Sequence, residues 1–271
     1  MDNKYEEALP RGVALSWGLV KSTQRGPKRV MSLKQIVGAA AAIADKEGLA
    51  AVSMNKVAAS LGFTTMALYR YVPSKEDLIL LMQDAAFEIS LPEEISADWR
   101  ENMSIFVMAI MRCYQDHPWL CDIPASGIPI TPNNLRFVDW ALGIMQHLPL
   151  DHQEMISIVV MLTSHARIYS FFGRDMDRAV RTGVNSGPVP GVSYTAALEQ
   201  LVTSERFPYL RPVFLAGAYS PDEDGIKDEH PYGFEFDFAL ARILDGIEHY
   251  ITAKRMQEQE RDGSPKSPEP L

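Results

Sequence analysis

The chain has 271 residues, 46% of them apolar, enough for one large domain or two smaller ones with a real hydrophobic core. Two cysteines, Cys113 and Cys121, with no CxxC pair exclude a disulfide framework and a cysteine-rich zinc site, which leaves them as buried thiols. The net charge of −9 is uneven: nine Lys and Arg between Lys21 and Lys75 stand against Asp45 and Glu47, so this segment carries +7 and the rest −16. A basic segment in an acidic protein is where a polyanion would bind, chance clustering being the alternative.

The start, "MDNKYEEALPRG", has neither a basic nor an apolar leader region, and no stretch approaches the ~18 uninterrupted apolar residues of a membrane span. A cytoplasmic protein with no membrane partner is expected. Gly, Pro and basic residues break any long period over 1–31, which reads as a flexible basic N-terminal arm, with Trp17 as a residue that could dock somewhere. Ser32 and Gln35 have capping-box spacing, and an alanine-rich helix follows as far as Gly48. Ser53 caps a second helix with Met54, Val57, Ala58 and Leu61 on one face, ended by Gly62. Thr64 caps a third, to about Tyr71, with only Ala67, Leu68 and Val72 facing inward. Ser74 caps a fourth, its stripe running from Leu78 to Ile89. Two short helices joined by a tight glycine turn, the second polar outside, make a helix-turn-helix over 32–91.

Beyond Pro92 the pattern stays helical over 98–118, 131–148 and 151–173, with none of the two-residue alternation of strands. Polar breaks follow at 181–193 and 218–231. A last helix from near Pro231 spaces Phe236, Leu240, Ile243, Ile247 and Tyr250 by fours and threes, and 256–271 is a polar tail with nothing to bury, expected to be disordered. The fold class is all-α: a three-helix DNA-binding unit and a larger helical domain over 92–255.

The run "LGFTTMALYRYVPSK" resembles the tetracycline-repressor (TetR) family of bacterial transcriptional regulators, and the likeness covers Ser32 to about Leu91. "HPWL", "TPNNLRFVDWAL" and "FEFDFALARILDGIEHYI" resemble the ligand-binding and dimerisation domain of the branch nearest the tetracycline repressors. The resemblance implies a homodimer whose recognition helices read a palindromic double-stranded DNA operator and whose larger domain takes a small-molecule effector.

Thr65 and Met66 occupy the family's base-contacting positions, with Thr64 just before them. Thr65 and Met66 offer no Arg or Gln for bidentate readout, so specificity falls to thymine methyl contacts, to Asn55 and Lys56, and to DNA shape. Tyr69, Tyr71 and Lys75 suit phosphates. Packing within the unit is the alternative for Tyr69, a salt bridge for Arg70. Arg25, Lys28 and Arg29 would reach along the backbone or into a minor groove, or simply keep the chain soluble.

Six scattered histidines with no HxxxH or HExxH, no phosphate loop and no G-x-S-x-G leave no catalytic site, cofactor or metal to assign. Met103, Phe106, Trp119, Trp140, Met161 and Tyr169 suit an apolar pocket as well as they suit a core. His165 interrupts an apolar helix and is the polar ligand contact expected. Helices near 151–173 and 232–255 are apolar around more than one face, as a dimer's four-helix bundle requires. The reading is a repressor released from DNA by a small, largely apolar ligand; the rival is a helical DNA-binding protein whose larger domain binds a protein.

Overall fold

The computed structural model describes residues 8–20, 31–92, 96–124, 130–182, 194–217 and 233–262. Among these every regular element is a helix. They divide into two compact units, one of residues up to 171 with those from 242 onward, the other of 172–241.

The first helix, α1 (Arg11–Ser16), was not expected. It has no side-chain cap and is too short to persist alone. What holds it is burial: Val13 and Ala14 are wholly inside, and the helix packs on α5. The segment read as a flexible arm is therefore docked over this stretch, while Arg25, Lys28 and Arg29 lie outside the described residues.

The reading unit follows its capping signals. Ser32 and Gln35 form the full reciprocal box at the start of α2 (Leu33–Glu47), which buries Ile36, Val37, Ala40 and Ala44. Ser53 accepts from Lys56 N to open α3 (Met54–Ser60). The turn after α3 closes with Gly62 at φ 75°, its N–H on Ala59 O and the Phe63 N–H on Ala58 O, a Schellman motif that needs glycine at its left-handed position. Thr64 then caps α4 (Thr65–Tyr69), and Ser74 caps α5 (Lys75–Ala86), whose Glu76 and Asp77 sit where the helix dipole favours negative charge. Leu78, Leu81, Met82 and Ala86 carry the inner face of α5, which ends a turn earlier than its apolar stripe suggests.

In the body, α6 (Trp99–Asp116) starts on an Asp98 cap and α7 (Pro132–Met145) runs beside it. They share an aromatic cluster in which the Phe106 ring lies 5.6 Å from Trp140 and the Phe87 ring 5.3 Å from Phe137. A short 3-10 turn, Pro118–Asp122, follows α6 and carries buried Trp119 and Cys121. Burial pushes the Cys113 thiol up to about 11, making it an inert core thiol.

The long helix α8 (His152–Thr182) opens on a reciprocal box, with Asp151 N donating to Glu154 and Glu154 N to Asp151. Its stretch His152–Asp175 is long and apolar enough, by length and composition, to cross a membrane, although no uninterrupted apolar run is present. Only 28% of that window is buried. The smaller unit holds α9 (Tyr194–Leu201) and α10 (Leu210–Leu215), joined by Arg211 donating to Glu199 O and Val202 O. The last helix, α11 (Phe234–Asp262), continues through 256–262, where a disordered tail was expected. It is tied to the body by Arg100, which donates to Asp245 at 2.6 Å and Glu248 at 2.7 Å, and by Lys254 on Glu154.

Candidate nucleic-acid interface

In α4 only Leu68 is buried. That one anchor, with Val72 beyond it, fixes the helix on the three-helix core and turns its other residues outward. Met66 is 72% exposed, an unusual place for a large apolar side chain, and Tyr69 is also exposed. Thr64 Oγ accepts from Ala67 N at 3.2 Å, so its side chain serves as a cap. The Thr65 hydroxyl donates to Asn55 Oδ1 at 3.0 Å, joining α4 to α3 on one surface. Tyr71 and Lys75 are half-buried at the far end, beside the start of α5.

Lys56 departs from the expected picture. Its ammonium donates to Glu47 Oε2 at 2.5 Å, and this pairing holds the Glu47 carboxyl below the usual carboxylate range. Its charge is already partnered within the protein, so a DNA contact would have to compete with Glu47.

The residues expected to bind a ligand do not share an open cavity. Met103 and Phe106 are fully buried and Trp140 nearly so, in the packed cluster between α6 and α7. Trp119 is buried and its indole N–H donates to Asp45 Oδ1 at 2.6 Å; His117 Nδ1 meets the same oxygen at 2.9 Å. The His165 and Tyr169 rings meet at 4.8 Å, tilted by 57°. The polar residues of α8 are largely served by the protein itself: Thr163 bonds Val159 O and Arg167 bonds Ile123 O. Met161 alone of the seven lines the open groove of about 530 Å³ between α8 and α11, with Ile158, Ile243 and Ile247 on its floor and Tyr250 and Arg242 beside them. Along α8, Ile156, Val160 and Ile168 are exposed as well. Among the described residues no group of three or more His, Cys, Asp and Glu is placed to hold a metal ion.

Comparison with known proteins fits this arrangement. The family model for bacterial regulatory proteins of the tetR family matches residues 36–82, and that for the tetracyclin repressor-like C-terminal domain matches 91–251. The HTH-type transcriptional repressor DrrR1 of Streptomyces coeruleorubidus is 31% identical over 255 residues, covering 91% of this chain and 88% of that protein. The HTH-type transcriptional repressor Rv1353c of Mycobacterium tuberculosis is 23% identical over 229 residues, 82% of each. Among solved structures, apo ActR from Streptomyces coelicolor superposes with a TM-score of 0.65 at 19% identity, over 84% of this chain and 99% of that one. ActR in complex with actinorhodin gives 0.64 at 20% identity, over 80% and 94%. With the reading unit under one family model and most of the body under the other, the chain belongs to the TetR family of bacterial regulatory proteins, which are DNA-binding transcriptional regulators and not enzymes.

Proposed function

We propose that this regulator is a homodimeric repressor that holds a palindromic operator in the cytoplasm and leaves it when a small, largely apolar ligand binds the larger domain. The observation that carries the DNA half is the outer face of α4, since a five-residue helix anchored by Leu68 alone gains nothing within the protein by projecting Met66 and Tyr69 into water. Thr65, Met66 and Asn55 meet base edges, and Tyr69, Tyr71 and Lys75 meet phosphates. Thr64 contributes as the cap that aims α4, and Lys56 by exchanging Glu47 for DNA.

Support for the dimer comes from α8. Val160 is 56% exposed beside an apolar groove, and two copies related by a twofold axis would cover each other's faces. Support for a ligand comes from the solved complex of ActR with actinorhodin, while in this chain Met103, Phe106 and Trp140 are closed to one. A molecule entering that core has to select a state in which it opens, and differential affinity between two states is what release requires.

Fluorescence anisotropy with the inverted repeat upstream of the protein's own gene tests the reading. Specific binding is expected, with a loss of about 5- to 150-fold when actinorhodin is added. Failure to distinguish that repeat from scrambled DNA overturns the operator assignment. If molecules that raise the melting temperature leave operator affinity unchanged, the larger domain serves a protein partner instead.

A further inference from the structure

We propose that α1 and Trp17 are a brace that fixes the angle between the reading unit and α7, and so sets the spacing of the two half-sites the dimer accepts. The inference rests on the dimeric DNA-binding reading and adds positioning residues to it.

At one end of the brace, Gly12 lies against the first turn of α5. A Cβ there would meet Asp77 Oδ1 at 2.6 Å and the Asp77 Cα at 3.2 Å, so the two backbones approach as closely as glycine allows. Asp77 is two residues from Lys75, at the end of α5 that meets DNA. In the middle, Val13 and Ala14 are fully buried. At the other end, Gly18 takes φ 63°, closing α1, and the Trp17 indole N–H donates to Ile130 O at 2.9 Å, just before α7 begins. Three residues on, the Asn133 N–H donates to Asp84 of α5 at 2.9 Å.

Residues 130–133 are thus held twice, by α5 through Asp84 and by α1 through Trp17, while α1 is itself packed on α5. Asp45 on Trp119 and His117 ties the reading unit to the body elsewhere, and Trp17 adds an attachment on a separate segment at the start of α7, where α1, α5 and α7 form a closed triangle of contacts. A six-residue helix without a side-chain cap does not persist alone, and burial of Gly12, Val13 and Ala14 holds it in place.

The geometry converts this stiffness into spacing. The 12 residues of α5 make a lever about 18 Å long at ~1.5 Å per residue. A tilt of about 10° at the joint moves the Lys75 end by about 3 Å, close to the ~3.4 Å rise of one base pair. Loosening the brace should therefore leave each head's contacts intact and blur the distance between heads.

The test uses the full chain, as wild type, Trp17→Phe and Gly12→Ala. The first variant keeps the aromatic ring and loses the N–H; the second lifts α1 from α5. Each is titrated against its selected inverted repeat, against repeats with one base pair added or removed at the centre, and against a single half-site. Wild type is expected to discriminate against the altered spacings by about tenfold or more, within the coupling range typical of linked sites. Both variants should reduce that ratio to below about threefold, with half-site affinity and salt dependence unchanged. A purely structural role would lower the melting temperature and leave the ratio intact. An unchanged ratio in both variants, or an equal loss on half-site and full site, overturns the brace. A wild type indifferent to spacing would instead overturn the palindromic reading beneath it.

Discussion

Asp84 offers the sharpest test of how the reading unit is joined to the body. Its carboxylate is only 7% exposed and accepts from the Asn133 backbone N–H at 2.9 Å and from the Asn133 amide at 3.2 Å. The N-cap of α7, Thr131, makes no capping bond with its own side chain, so Asp84 serves as the cap from another helix. Asp84→Ala removes an N-cap acceptor, about 1 kcal/mol, takes a negative charge from a helix N-terminus, about 0.3 to 1 kcal/mol, and strands a half-buried N–H, about 1 to 3 kcal/mol. These terms overlap, and a net loss of about 2 to 3 kcal/mol is expected, about 5 to 10 °C in melting temperature for a chain of this size. Asp84→Asn keeps one acceptor for the backbone N–H and should lose only about 1 kcal/mol. Urea unfolding followed by circular dichroism at one fixed protein concentration measures both. A loss under ~0.5 kcal/mol for Asp84→Ala, or equal losses in the two variants, would refute the capping argument.

Lys75→Ala should weaken binding to all DNA alike and lower the slope of log K against log salt by about one; an unchanged slope removes Lys75 from the phosphate contacts. Met66→Ala should relax discrimination at one symmetric pair of operator positions by about 1 to 3 kcal/mol per half-site, whereas a uniform loss in a selection experiment would show that Met66 only positions the helix. Val160→Glu and Ile168→Glu should produce monomers in sedimentation, and persistent dimers would move the interface elsewhere; Ile247, attractive from its spacing, is buried within the protomer and its replacement would test folding instead. Lys254, Tyr250 and the Asp151 N–H together hold the Glu154 carboxyl down at about 2 from its ordinary 4.5. The unfolded chain therefore takes up this proton first, and the stability the cluster provides is full above about pH 4.5 and lost as pH falls toward 2. Glu154→Gln should flatten the stability curve in that window, and parallel curves for variant and wild type would discount the cluster.

The parts of this protein that announce themselves in sequence are those governed by local chemistry. Ser32 with Gln35, Ser53, Thr64 and Ser74 each cap the helix expected of them, because a short polar side chain before an apolar period satisfies N–H groups in any context. The left-handed Gly62 is legible for the same reason. What escapes is whatever depends on distant partners. Helix α1 has Pro10 in place of a cap and draws its stability from α5, some sixty residues away. That Lys56 pairs with Glu47 could not be read in advance, since the pair spans α2 and α3. Composition could not separate core from cavity either: Met103, Phe106 and Trp140 have the makings of a pocket wall, yet they are buried, Phe106 against Trp140, while Met161 lines an open groove.

The open apolar face of α8 also bears on how such a repressor would answer to its own abundance. In the proposed dimer this surface is covered by the second copy, so that the stability of the protomer is tied to its own concentration. In the proposed dimer, wherever the protein is scarcer than its dimer dissociation constant, operator occupancy rises with the square of the protomer concentration. Halving the supply then removes about three-quarters of the bound species by mass action. Dilution by cell growth, with no ligand present, becomes an input to the switch.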